Sequence, residues 1–469
     1  MKEQSKKKNS KPIIRASMAF IVLMAVVSMF SDMVHEGANS IIGAFESFLG
    51  APALVISIVG GAGTLIGCSL RFVTGYFADK TKHYWTFTII GYAIDLVSVP
   101  LLACVPNGGW GLAVTFILME RVGKAIKKPA KDSIVSFAAT QNGVGKSFAF
   151  GELLDQIGAF IGPMILTLTY MIRSDLPQYE KYTLGFLVLL IPCVICLIVL
   201  LLAFFKFRHP DRFEKDPSDG NARSFLKNSA FILFLFASAM LAIGFLDSFS
   251  LINSHLYLLG LVPGDYLPLL YSYAMFIDAL SAVVFGLLYD KKGFLSIAIA
   301  TFMTAGYSFF IFLIPKLWSI FVGLTMWGIG MGAEESVMKS GITTLSMKNE
   351  RASAFGFYEL VYGLFSFAGS GLIGWLYGVS MLSLCIVSSA FIIFSAILYL
   401  ISDINNRKHA NPKTISKSES SIAIGDSPKS RSDQNITTGL AKKKRKPFGI
   451  KFPFHKARYC LNPFTYLTI

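Results

Sequence analysis

FLVLLIPCVICLIVLLLAFF, residues 186–205, runs twenty residues without a charge. A helix rises 1.5 Å per residue, so this run covers the roughly 30 Å hydrocarbon core of a bilayer. Lipid offers a backbone no hydrogen-bond partners, so such a run must be a helix, which satisfies its own N–H and C=O groups. Comparable apolar runs recur along the 469 residues, of which 54% are hydrophobic and only 15% charged, with mean hydropathy +0.58. Soluble domains carry about 25% charged residues. The chain therefore reads as an all-α, polytopic membrane protein.

Gly, Pro and charge punctuation divides the apolar runs into about twelve spans on the ~20-residue criterion. Six centre near Val27, Gly63, Ala93, Phe116, Ile161 and Ile195, and six near Leu241, Ala279, Met303, Trp327, Ser366 and Ala390. The expected organisation is a cytoplasmic N-terminus over 1–16 and a six-helix bundle over 17–206. A linker over 207–227, a second six-helix bundle over 228–402 and a disordered basic tail over 403–469 follow.

The formal charge of +15 is not the footprint of a nucleic-acid binder. Lys80, Lys82, Lys127, Lys128, Lys131, Lys146, Lys206, Arg208, Arg212, Lys291, Lys292, Lys348, Arg351 and Arg407 fall on one side of the predicted spans, against Arg173, Lys181 and Lys316 on the other. The positive-inside rule makes the richer side cytoplasmic. Both termini then lie there, in a cell membrane. The apolar stretch after the basic 1–11 segment lacks a small-residue cleavage site and continues as the first span. Cys193-Val-Ile-Cys196 has redox or metal spacing, but inside an apolar run without His it reads as packing. Lys442-Lys-Lys-Arg-Lys446 in the tail suits anionic lipid headgroups.

The two sets of spans repeat each other. Gly75-Tyr-Phe-Ala-Asp79-Lys80 is answered by Gly286-Leu-Leu-Tyr-Asp290-Lys291, and Ala149-Phe150-Gly151 by Ala354-Phe355-Gly356. Phe30-Ser-Asp32 matches Phe245-Leu-Asp247, and Trp110 matches Trp318. The Gly-x-x-x-Asp-Lys pair resembles the signature loop of the major facilitator superfamily. That resemblance covers residues 17–402 and implies two bundles around a central cavity that opens alternately to each side. It implies that Gly75, Asp79, Lys80, Gly286, Asp290 and Lys291 latch a cytoplasmic gate. In the first copy Lys82 stands where the motif has Gly. Residues 121–136 are similar to the R-x-G-K-G-I-R-x-P-x-[RK]-D run of a little-characterised bacterial branch. Gly158-x-x-x-Gly162-Pro163 resembles the core of the exporters' antiporter motif, with Leu166 and Thr167 where a double Gly would follow.

A charge at a helix centre costs about 2.5–3.5 kcal/mol on insertion scales, so ionisable groups inside spans are functional candidates. Asp32, His35 and Glu36 share one face of the first helix at i, i+3 and i+4. Glu120, Arg121 and Lys124 lie in the fourth helix, Asp247 in the seventh, and Glu334, Glu335 and Lys339 in the tenth. In the superfamily these helices line the cavity. Asp95, Glu152, Asp155, Asp278 and Glu359 add further buried acids. Asp32, Glu36 and His35 could bind a coupling proton with Arg121 competing for the acids, or the same charges could be static ion pairs or substrate contacts. Asp32-x-x-His35-Glu36 could also offer a divalent cation N and O ligands. Lys124, Lys127, Lys128 and Lys131 read as a solvated or headgroup-facing rim, or as a site for an anionic solute.

The chain shows no catalytic constellation and no phosphate loop, so an enzyme is not expected, and no cofactor. The expected function is a secondary active transporter working by alternating access, moving protons and a small-molecule solute, with efflux as the direction. The rivals are a proton-coupled importer, a non-transporting receptor or scaffold, and a divalent-metal exporter. A monomer is expected.

Overall fold

The computed structural model describes residues 2–142, 144–213, 228–346 and 351–410. Of the basic tail expected over 403–469, residues 403–410 are helical and continue the last helix, while residues 411–469 and linker residues 214–227 lie outside the described set, with the expectations attached to them. Among the described residues there is no strand. The elements are α1 (Lys2–Phe48), α2 (Ala53–Thr81), α3 (Tyr84–Leu101), α4 (Trp110–Asn142), α5 (Val144–Ile172), α6 (Gln178–Val188) and α7 (Leu190–Lys206). They continue with α8 (Ser229–Gly244), α9 (Ser250–Leu259), α10 (Leu267–Lys292), α11 (Phe294–Thr304), α12 (Leu317–Ala333), α13 (Lys339–Leu345), α14 (Arg351–Val379) and α15 (Met381–Ala410).

Among the described residues, nine helical rods are long and apolar enough to cross a membrane. The quoted run belongs to one of them, Gln178–Lys206. Its slight break at Leu189 falls where Pro192 withholds the N–H that would bond the carbonyl four residues earlier. Two shorter apolar helices, α8 and α12, are prolonged by α9 and by a π turn (Glu334–Met338) leading into α13. α4 has 33 residues and reaches the length, but its charges hold its hydropathy down. The set is consistent with twelve crossings.

One face of the molecule carries the α2–α3 and α10–α11 turns and is here the near face. The other carries the α1–α2 and α5–α6 turns and is the far face. α1 packs on α5 and α7, and α3 on α4; α8 packs on α14 and α15, and α10 on α12. Between these two groups α1 meets α9, α2 meets α14 and α5 meets α10. Gly158 and Gly162 make the α1–α5 contact possible. A Cβ on them would stand 2.2 Å from the Met29 carbonyl oxygen and 2.3 Å from that of Met33, so the small-xxx-small pattern works as a backbone-to-backbone seam.

Both near-face turns are closed by a residue with positive φ. Lys82 caps α2 in the left-handed region with φ 58° and ψ 13°, whereas Gly293 at the matching turn shares the positive φ of 61° but has ψ −136°. The turn closes in both copies, but a side chain there costs about 1–2 kcal/mol. Lys82→Gly is therefore expected to raise stability by roughly 1 kcal/mol once glycine's extra unfolded-state freedom is subtracted. Thermal unfolding in detergent reads this directly. Asp79 accepts a 3.0 Å bond from Tyr84 on its own turn, and Asp79, Lys80, Asp290 and Lys291 are all exposed.

Candidate functional site

Asp95 on α3 and Lys127 on α4 meet because the two helices touch backbone to backbone. A Cβ on Gly123 would lie 2.4 Å from the Asp95 nitrogen, and one on Gly91 2.5 Å from the Lys127 nitrogen. Lys127 Nζ contacts Asp95 Oδ2, donates to Ser31 Oγ at 2.7 Å and lies 4.1 Å from the centre of the Tyr92 ring. The pair is desolvated, with side-chain exposures of 7% and 0%. Lys127 is thus a core residue, although the charge pattern along α4 grouped it with a solvated rim. Rotation on α4 explains this: Gly123, Ala130 and Lys127 share the buried face, while Lys124, Lys128 and Lys131 are half-buried.

His35 bridges two carboxylates. Its Nε2 sits 2.9 Å from Asp95 Oδ2 and 3.2 Å from Lys127 Nζ, and its Nδ1 sits 2.8 Å from Glu120 Oε1. The second Glu120 oxygen faces Arg121 Nε at 3.0 Å. Arg121 Nη2 donates to Asn39 Oδ1 at 3.0 Å, and Asn39 Nδ2 donates to Glu36 Oε2 at 3.1 Å. Tyr271 of α10 donates to the same Glu36 oxygen at 2.5 Å. One polar chain therefore runs from Ser31 through Lys127, Asp95, His35, Glu120, Arg121, Asn39 and Glu36 into the other helix group. Tyr271 is itself packed 4.6 Å from Phe249, which lies 5.3 Å from buried Trp327.

The residues read from the sequence divide between this chain and other places. His35, Glu36, Arg121 and Asp95 are in it. Asp32 is half-buried one turn nearer the α2–α3 side, with Lys124, His35, Glu36 and Lys127 as its electrostatic neighbours. Asp155 lies beside Asp32, Lys131 and Glu152. Glu152 was expected among the buried acids and is instead exposed, one turn closer to the end of α5. Glu359 is also only partly covered and faces Arg71 of α2 at 3.7 Å. Asp278 is buried where α10 meets Gly332 of α12. Glu334 accepts a 2.7 Å bond from Tyr362; the side chain of Glu335 lies outside the described set.

Asp247, the counterpart of Asp32, sits in a different backbone. α1 is continuous there, whereas the chain between α8 and α9 is unwound. Asp247 Oδ2 accepts from Thr64 of α2 at 2.9 Å and from Ser366 of α14 at 3.0 Å. Trp327 Nε1 bonds the freed Leu246 carbonyl at 2.6 Å, and Tyr307 accepts from the Leu246 N–H at 3.2 Å. The unwound groups are thus re-satisfied by side chains, as a membrane interior requires.

His35, Asp95 and Glu120 could each offer one ligand atom within 4.8 Å of the others. Lys127 already lies on the Asp95 oxygen and Arg121 on Glu120. A dication entering there would meet two fixed positive charges, so the set fits a proton better than a metal. Glu120, Lys127, Asn39 and Tyr271 carry more of the network than the sequence indicated. Only Glu120 and Lys127 had a sequence signal, as charges inside the fourth span.

The chain is similar to characterised folds over most of its length. The Major Facilitator Superfamily profile matches residues 24–338 and 269–461. An uncharacterised protein of Mycobacterium tuberculosis is 33% identical over 383 residues, covering 81% of this chain and 91% of that one. An uncharacterised MFS-type transporter of Methanocaldococcus jannaschii is 26% identical over 394 residues, with 81% and 94% covered. Among solved structures, a point mutant of the nucleoside transporter NupG superposes with TM-score 0.65 at 12% identity, over 82% of this chain and 99% of that one. An inward-facing bacterial homologue of the lysosomal transporter Spinster gives 0.62 at 13% identity, over 83% and 97%. With its rods, its polar core and this match along the sequence, the chain belongs to the major facilitator superfamily of multi-pass membrane transporters.

Proposed function

We propose that the protein is a proton-coupled secondary transporter that works by alternating access and expels a small solute. The observation that carries this reading is His35, buried between the carboxylates of Asp95 and Glu120 while Lys127 and Arg121 face the same two acids. Protonating the imidazole gives both acids a new cationic partner and loosens their hold on Lys127 and Arg121. Removing the proton restores the first arrangement. Two arrangements that differ by one proton can be biased by a proton gradient. Arg121, Asn39, Glu36 and Tyr271 would carry the change to the opposite helix group.

The excess of basic residues at the near face supports a cytoplasmic near side, both termini cytoplasmic and residence in the cell membrane. The polar contacts between the helix groups favour a conformer closed at the far face. Ala44 N donates to Asn253 Oδ1 at 2.6 Å, Ser57 Oγ to the Ser370 carbonyl at 2.6 Å, and Lys181 pairs with Asp265 at 2.8 Å. Export draws its support from the Gly158, Gly162 and Pro163 seam. The basic tail is proposed to rest on anionic lipids.

Everted membrane vesicles with an acid interior test the coupling. Solutes from a panel of nucleosides, dipeptides and lipophilic cations are added, and a pH-gradient dye is followed. An antiporter gives solute-dependent loss of the gradient, and His35→Ala or Asp95→Asn drops that signal to background. A symporter that imports would give no loss from this side. Full activity in both variants would sink the proton reading.

A further inference from the structure

We infer that Glu46 is a second, state-dependent proton-binding residue: it holds a proton while the far face is closed and gives it up when the far end of α1 parts from α9. The inference rests on the alternating-access reading above but not on the His35 cluster.

Glu46 is 0% exposed, and among the described residues neither of its carboxylate oxygens has a hydrogen-bond partner. An ionised carboxylate without water, donor or counter-ion is among the costliest groups to bury, and the neutral acid removes most of that cost. The groups around it leave it in this condition. On α4, Arg121 is the charge that acts on it, but its guanidinium is committed to Glu120 and Asn39. On α1 and α3, His35 and Asp95 are paired with each other. On α6, Lys181 is held by Asp265, and Tyr182 packs on Phe45. On α9, His255 bonds Tyr377; on α10, Tyr271 bonds Glu36. Asp247 beside α9 is bonded by Thr64 and Ser366. On α2, Arg71 faces Glu359; on α5, Asp155 faces Asp32 and Lys131; on α7, Cys193 and Cys196 bond carbonyls.

The residues flanking Glu46 form the far-side seam. A Cβ on Gly43 would meet the Ser250 carbonyl at 1.9 Å. Ala44 bonds Asn253, whose side-chain amide also donates to the Ser40 carbonyl at 2.9 Å, and Ser47 bonds Ser254 at 2.5 Å. Separating α1 from α9 must break these contacts and admit water one residue away from the buried acid. Glu46 also lies eleven residues beyond His35, within about 20° of the same helix face. Above His35 on this side the packed side chains of Asn39, Ile42, Leu102, Phe116 and Glu120 line the approach to the cluster, with no room left for a water. The face thus leads from the far seam to the central cluster. Closure over an ionised Glu46 is disfavoured, so acid should favour the closed far face and alkali the open one.

Two measurements on the full chain in liposomes test this without a transported solute. Dicyclohexylcarbodiimide modifies protonated carboxyls in apolar surroundings, and mass spectrometry should find the adduct on Glu46 at acidic pH. Spin labels on Leu54→Cys and Leu258→Cys, both exposed, report the separation of α2 and α9 at the far face in a Cys104→Ser, Cys460→Ser background. That distance should lengthen from acidic to alkaline pH in the parent and stay short throughout in Glu46→Gln. An unmodified Glu46, or a Glu46→Gln variant with the parent's pH response, overturns the inference. A lost response in Glu46→Gln beside intact proton-driven transport in His35→Ala would separate this proposal from the His35 relay.

Discussion

Asp95→Ala is expected to destabilise the folded protein by about 3–5 kcal/mol, the cost of leaving one partner of a buried ion pair uncompensated. Lys127 would then keep the Ser31 hydroxyl, the Tyr92 ring and the His35 imidazole, none of them an anion. The reverse change, Lys127→Met, should cost less, because His35 sits 2.9 Å from Asp95 and can take up a proton to supply the missing positive charge. The double variant Asp95→Asn, Lys127→Met removes both charges. It should recover much of the loss, since replacing a buried pair by neutral groups of similar size is often near neutral. A double-mutant cycle on thermal unfolding in detergent measures the coupling. Equal costs for the two single variants would argue that His35 does not exchange partners with Lys127, and the proposed relay would lose its basis.

Gly162→Val should be comparably damaging, for a reason that involves no charge. Its Cβ would arrive 2.3 Å from the Met33 carbonyl oxygen, which belongs to backbone and cannot rotate away. Overpacking typically costs about 1–3 kcal/mol, and more where backbone must move. α1 would have to shift away from α5, and His35 lies two residues beyond Met33, so the charge cluster would shift with it. The expected result is a sharp fall in monodisperse protein on size-exclusion chromatography, whereas Gly151→Ala, with nothing within 4 Å of a Cβ, should behave like the parent. Near-normal folding of Gly162→Val would mean the seam is looser than its distances indicate.

These two cases divide what was legible in the chain. The apolar runs, their helical state and the repeat of Gly75–Lys80 by Gly286–Lys291 follow from length, hydropathy and local chemistry, all of which a sequence carries. So does the glycine seam on α5, because four-residue spacing places Gly158 and Gly162 on one side of one helix. The candidate charges were also visible as charges inside spans, and His35, Glu36 and Arg121 do meet in one network. Glu46 was passed over although it lies within the first span, eleven residues from His35 on the same face.

Pairing was a different matter. Helical periodicity assigns a residue an angle and a depth on its own helix, and nothing in it relates that angle to a neighbouring helix. Lys127 read as rim because its sequence neighbours are lysines, yet the approach of α3 to α4 at Gly91 and Gly123 turns it onto Asp95. Asp32 and Asp247 matched in sequence, but a continuous α1 and an unwound α8–α9 junction give them different surroundings. The sequence alone determined a two-part bundle of membrane helices with charges in its middle. Which charge answers which was decided by helix rotation and contact distance, and those exist only once the helices are packed.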